Sequence, residues 1–185
     1  MILDSLKNFQ WLNDPADVFF NETGMNVMAR EKTDFWQSLH HNFGRDNGHF
    51  FYTHKIGDFS MTVKWSFAAL NHFQQCGIMV RVDERNWIKA SLMQDDAKFP
   101  KLGTSVTQKG YSDWASQNLL APVNAIWYRI ARKSGDYTVL YSLDGENFSQ
   151  IRLAYLMRDI PEVKVGAYLC SPNISGFEAT LERIE

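Results

Sequence analysis

From Asp58 to Phe67 apolar side chains fall on every second residue, Phe59, Met61, Val63, Trp65 and Phe67, with Ser60, Thr62, Lys64 and Ser66 between them. A repeat of two gives a strand with one dry and one wet face, and no helix can gather such residues on one side. The same alternation recurs in Cys76, Ile78, Val80, Val82, then in Ile126, Tyr128, Ile130, and again in Tyr137, Val139, Tyr141. Helical spacing is nowhere sustained. Turn chemistry separates the runs at Ile56-Gly57-Asp58, Asp83-Glu84-Arg85-Asn86, Ser134-Gly135-Asp136 and Asp144-Gly145, which predicts about eleven to thirteen strands, many of them antiparallel neighbours. Strands that each hide one face pack most simply as two stacked sheets, so the expected fold is all-β, an antiparallel β-sandwich of jelly-roll type. With 185 residues, 45% of them hydrophobic, one core can form, and a single domain over residues 1–185 is expected. Asp34 to Asn47 is the least strand-like stretch and reads as a long loop with a helical turn.

Charge and cysteine content exclude several roles. A net charge of −2 with both signs interspersed lacks the basic stripe that phosphate neutralisation demands, so nucleic acid is not an expected partner. No apolar run of about 18 residues occurs and the first residues lack a basic start before an apolar stretch, so neither a membrane span nor an export signal is expected. Cys76 and Cys170 each sit in an apolar, strand-like segment, which reads as two buried free thiols and a reducing, cytoplasmic setting.

The residues able to carry chemistry are aromatic and polar neighbours on strands. In Asn86–Met93 the side chains of Trp87, Lys89, Ser91 and Met93 share one face, while Ile88, Ala90 and Leu92 share the other and suit the core. An outward Trp87 has two readings of equal weight: a platform for the C–H patches of a sugar ring, or surface coverage with Lys89 laid over the indole. Arg129, with Trp127 on its face, poses the same choice, and Arg81 joins Gly77 and Met79 on one face of its strand. His40, His41, His49 and His54 have no Cys or carboxylate at ligand spacing, so neither a metal nor a cofactor is expected. His49 follows the turn Asp46-Asn47-Gly48, which would present it beside a strand. A strand pattern of paired carboxylates for glycoside hydrolysis is absent, and Asp34 and Asp113 could meet only through the tertiary fold.

Taken together, Trp11-Leu12-Asn13-Asp14-Pro15, Thr33-Asp34-Phe35-Trp36, Arg45-Asp46-Asn47-Gly48-His49, Gln75-Cys76-Gly77-Ile78-Met79-Val80-Arg81, Trp87-Ile88-Lys89, Ser112-Asp113-Trp114, Arg129, Tyr141-Ser142-Leu143-Asp144-Gly145 and Ser171-Pro172 resemble the domain of unknown function 1349 family. That family is related to the yeast regulation-of-enolase protein, and the resemblance covers nearly the whole chain. It implies a concanavalin A-like lectin/glucanase fold. The chain departs from the family pattern at Gln74, where an Asp is expected, and at Ser91 and Met93, where a Gly and a Glu are expected. Two family carboxylates are thus missing, which favours binding over catalysis, although fold alone does not fix function.

The leading expectation is a non-catalytic binder of a carbohydrate or sugar-like metabolite. Trp36, Trp87 and Trp114 would be its aromatic platforms, and Asp34, His49, Gln75, Arg81, Lys89, Asp113 and Arg129 its polar contacts. An alternative is a glycoside hydrolase using Asp113 with Asp34 or His49 as acid and base. A third is a protein-interaction module, whose aromatics would lie on a flat patch and meet a protein partner.

Overall fold

The computed structural model describes residues 6–37, 43–157 and 159–185. Its first strands are β1 (Gln10–Leu12), β2 (Asp17–Phe20), β3 (Met25–Ala29), β4 (Phe35–Trp36), β5 (Arg45–Asp46) and β6 (His49–Ile56). The middle of the chain gives β7 (Phe59–Ser66), β8 (Gln75–Asp83), β9 (Asn86–Met93), β10 (Lys101–Gln108), β11 (Tyr111–Ser112) and β12 (Ala115–Asn118). The last five are β13 (Ala125–Lys133), β14 (Asp136–Ser142), β15 (Ser149–Tyr155), β16 (Glu162–Cys170) and β17 (Phe177–Ile184). The 17 strands among the described residues exceed the sequence expectation. The surplus is in β1, β2, β4, β5, β11 and β12, pieces of two to four residues too short to display an alternation.

Two antiparallel sheets stack as a sandwich. One runs β1-β6-β16-β8-β9-β10-β11, with β12 also on β10, and the other runs β15-β14-β13-β7-β17-β3-β2. Their facing sides form the main core, with Ile78, Val80, Ile88, Leu92, Val165 and Leu169 from the first sheet against Met61, Val63, Trp65, Ile126, Tyr128 and Val139 from the second. The two-residue repeats predicted this inner set apart from Val165 and Leu169, whose strand is apolar on both faces. Two polar ties cross the core: Trp65 Nε1 donates to the Gly77 carbonyl at 2.9 Å, and the Leu92 amide donates to Tyr128 Oη at 2.6 Å. Each satisfies a polar tip that an apolar core would otherwise strand. Gly77 is required here, because a Cβ would lie 1.8 Å from the Ala90 carbonyl oxygen on the neighbouring strand. Among the described residues no helix is long and apolar enough to cross a membrane.

The outer face of the first sheet is covered. Segment 33–37 and the short strand β5 lie across it, and the described part of the Asp34–Asn47 stretch is a two-stranded ladder pairing Phe35 with Asp46 and Trp36 with Arg45. The expected helical turn gives way to this ladder, and residues 38–42, with His40 and His41, lie outside the described residues. The covering segment is pinned at both ends. The Asn47 and Gly48 amides donate to the Asp34 carbonyl at 3.1 and 3.0 Å, and Thr33 N donates to the Ser171 carbonyl at 3.0 Å. Beneath it Phe35, Phe50, Tyr52, Met79, Trp87, Tyr168 and Cys170 form a second core.

Candidate functional site

Strand alternation carries Gln75, Arg81, Trp87, Lys89, Ser91, Ser105, Thr107, Tyr168 and Cys170 to the outer face of the first sheet. Neighbouring strands then align Ser91 with Gly77 and Gly103, Lys89 with Met79 and Ser105, and Trp87 with Arg81 and Thr107. The covering segment adds Asp34 and Phe35 from above. At the centre is Lys89, only 1% exposed. Its ammonium donates to the Phe35 carbonyl at 2.8 Å, to Gln75 Oε1 at 3.2 Å and to Asp34 Oδ1 at 3.3 Å. An ammonium has three N–H donors, and these three acceptors use them all.

Gln75 is committed in the same way. Its carbonyl oxygen also accepts from Tyr168 Oη at 3.2 Å and Ser91 Oγ at 3.5 Å, and its amide nitrogen donates to the Phe73 carbonyl at 3.3 Å. Asp34 Oδ1 accepts from the Phe35 amide and from Cys170 Sγ as well. Burial pushes the Cys170 thiol and the Tyr168 phenol well above their ordinary values, so both are neutral hydrogen-bonding groups and Cys170 is no nucleophile. Arg81 grips Asp46 with a fork of 2.5 and 2.7 Å and lies over the Phe35 ring. The network closes the covering segment onto the sheet.

The ten residues singled out from sequence therefore divide. Asp34, Gln75, Arg81, Trp87 and Lys89 come together, but as a sealed unit. Trp87 points to the predicted face and is 0% exposed, its Nε1 donating to the Glu84 carbonyl at 3.3 Å. The outward platform expected of Trp87 is corrected by the segment above it, which no local pattern on β9 can report. His49 is also buried: Nδ1 faces the Asn13 carbonyl at 2.9 Å and Nε2 accepts from the Arg30 amide at 3.0 Å. Both ring nitrogens are occupied, so His49 is a brace between loops and is unavailable as an acid or base.

Asp113 and Arg129 lie elsewhere. Asp113 accepts from the Val106 amide at 2.7 Å and pairs with Arg152 of β15, on the second sheet. Asp34, whose partners are Lys89 and Cys170, lies on the outer face of the first sheet, so the two carboxylates do not face each other across one cleft as the hydrolase reading requires. Arg129 is on the outer face of the second sheet, hydrogen-bonded to Thr62 Oγ1 at 2.9 Å and stacked 3.8 Å over Phe148. Among the described residues no group of three or more His, Cys, Asp or Glu is placed to hold a metal.

Trp36 and Trp114 remain half-buried at the rim. Gln37, next to Trp36, exchanges hydrogen bonds with Ser112: its carbonyl accepts from the Ser112 amide at 3.1 Å and its amide donates to Ser112 Oγ at 3.0 Å. Trp114 lies against Gly103, where any Cβ would strike its ring at 2.2 Å. One step further on the same face is Ser105, whose Oγ is buried with no hydrogen-bond partner among the described residues. Sequence reading missed Ser105, Tyr168 and Phe35. Runs such as residues 165–170, apolar on both parities, do signal strands buried on both faces.

Comparison with known proteins adds kinship to this geometry. The model of the family described as protein of unknown function (DUF1349) matches residues 11–185. The chain is 30% identical over 170 residues to the Saccharomyces cerevisiae protein named regulation of enolase protein 1, covering 92% of this chain and 84% of that one. The crystal structure of a functionally unknown protein from Saccharomyces cerevisiae superposes with a TM-score of 0.90 at 29% identity, over 97% of this chain and 96% of that chain. More distant likenesses concern the fold alone. The GH43 protein BlXynB from Bacillus licheniformis has a TM-score of 0.70 at 15% identity, over 96% of this chain and 36% of that one. The carbohydrate binding module CBM66 from Bacillus subtilis has 0.59 at 10%, over 96% and 93%.

Proposed function

The chain belongs to the family described as protein of unknown function (DUF1349), and on that fold we propose a non-catalytic binder of a small carbohydrate or sugar-related metabolite, held on the outer face of the eight-stranded sheet between Trp36 and Trp114. The observation that carries this reading is the buried Ser105 hydroxyl, without a hydrogen-bond partner among the described residues, one step along β10 from the Trp114 ring on Gly103. Leaving such a group without a partner costs about 1–3 kcal/mol, and a ligand hydroxyl entering under the indole would recover it. Ring stacking on Trp114 and Trp36 would supply the apolar half of the contact. Lys89, Gln75, Asp34 and Arg81 would act behind the site, fixing the floor and the covering segment in place. The carbohydrate binding module among the structural neighbours supports the ligand class. The free buried thiols Cys76 and Cys170 support a cytoplasmic location.

The test is titration calorimetry with a panel of mono- and disaccharides and sugar phosphates. A ligand of this class is expected to bind the wild type and to lose about tenfold or more in affinity in Trp114→Ala and in Ser105→Val, with Trp127→Ala as the neutral control. Binding that survives both changes, or no binding across the panel, would remove the site.

A further inference from the structure

Going beyond that reading, and on a different surface, we propose that the free edge of β15 receives an extended peptide carrying basic residues at the end beside Tyr155. Four places in the sandwich end in an edge: β1, the β11/β12 side, β2 and β15. The first three are blunted by length, with β1 having 3 residues, β11 having 2, and β12 and β2 having 4 each, whereas β15 has 7. A long unpaired edge is usually guarded by Lys, Pro or a covering loop. β15, Ser-Gln-Ile-Arg-Leu-Ala-Tyr, has neither Lys nor Pro, and its one cation, Arg152, is drawn off to Asp113. Among the described residues its backbone partners lie on β14, apart from the Tyr155 carbonyl, which accepts from Gln108 Nε2 at 2.7 Å.

Hollows follow this edge along its length. One of about 150 Å³ borders Ile151, one of about 540 Å³ borders Arg152 to Tyr155, and one of about 660 Å³ begins at Tyr155 and ends at Pro161. Tyr155 lines both of the larger two, so they form one trough. Leu153, Tyr155 and Tyr111 stand along it with exposures of 64%, 42% and 66%, which suits alternate apolar side chains of an added strand. Charge sets the polarity. Asp113 in the middle hollow is neutralised by Arg152, but among the described residues the end hollow presents Asp58, Asp136 and Asp159 against the guanidinium of Arg132. Arg132 is 9% exposed and donates to the Ile160 and Pro161 carbonyls at 2.5 and 3.5 Å. The carboxylate excess there attracts Lys or Arg, and the unpaired backbone favours a peptide over a glycan.

The experiment is selection of a phage-displayed library of random dodecapeptides on the full chain, followed by hydrogen exchange of the complex. Expected are peptides that alternate apolar residues and end in Lys or Arg, and that slow exchange of the β15 amides. Leu153→Lys, which places a cation on the edge at a solvent-exposed position, should weaken them about tenfold with an unchanged melting temperature. Should that variant fold poorly, Asp136→Asn with Asp159→Asn provides the second arm, with a severalfold loss and a flatter salt dependence. Trp114→Ala should leave peptide binding intact, which separates this surface from the sugar site. No enrichment, protection confined to other strands, or capture of xylohexaose in the trough with no peptide would overturn the proposal.

Discussion

Trp87-Ile88-Lys89 and Trp127-Tyr128-Arg129 are the same local pattern, an indole and a cation two residues apart on the outer face of a sheet, yet they have opposite fates. On the first sheet Trp87 and Lys89 are 0% and 1% exposed beneath the segment that carries Asp34 and Phe35. On the second sheet Trp127 and Arg129 are half-buried, with Lys64 4.5 Å over the Trp127 ring and Arg129 over Phe148. Alternation assigns a face; what crosses that face decides whether the same residues become a sealed polar core or a wet surface. A cation under cover must have all its donors met, as Lys89 does, whereas one in water need not.

The largest difference should be in stability. Lys89→Met leaves the half-buried Asp34 carboxylate without its cation and removes the buried donor shared by Phe35 and Gln75, which should cost about 3 kcal/mol. Arg129→Met should cost about 1 kcal/mol or less. Urea unfolding of the two variants measures the contrast, and equal losses would break the comparison. Next, Asp46→Asn weakens the grip on Arg81, whose side chain is 6% exposed, and should cost about 2 kcal/mol. Loosening should show first as faster amide exchange at Asn47 and Gly48, since these close the covering segment. Smaller again, Ser105→Ala removes a hydroxyl that has no partner among the described residues and should be neutral or stabilising by up to about 1 kcal/mol. A clear destabilisation would mean that the hydroxyl is already satisfied, and the sugar site would lose its anchor.

Much of this was legible before any coordinates. Met61, Val63 and Trp65, or Ile78 and Val80, face the core because a two-residue repeat leaves no other choice. The outer-face membership of Trp87, Lys89 and Arg81 followed from the same parity. Their burial did not, because the cover comes from residues far earlier in the chain, at separations of 35 for Arg81–Asp46 and 54 for Lys89–Phe35, and tertiary cover leaves no periodic trace in the covered strand. Asp113 shows the converse. It neighbours Ser112 and Trp114, which lie against the outer face, but strand geometry turns it the other way, toward Arg152.

The finest form of the comparison lies within one strand, β6, where His49 is covered and His54 is open. His54 is paired with Glu162 at 3.3 Å with 43% of its side chain exposed. His49 accepts the Arg30 amide on Nε2, so a proton there would set a donor against a donor. Burial, chiefly, and the nearby Arg30 charge hold its imidazole below the ordinary value of 6.5, against the opposing pull of the Asn13 carbonyl and Asp14. The unfolded chain then binds the proton more readily than the folded one, so this contribution is complete above the unfolded value and is lost as the pH falls below it. Denaturation midpoints taken from about pH 7.5 down to about pH 5.5 should therefore decline less in His49→Gln, which can still accept from Arg30 and donate to Asn13, than in the wild type. If His49→Gln kept the wild-type decline, the buried imidazole would be exchanging protons freely in the folded state, and the loops that it braces would have to be looser than its hydrogen bonds describe.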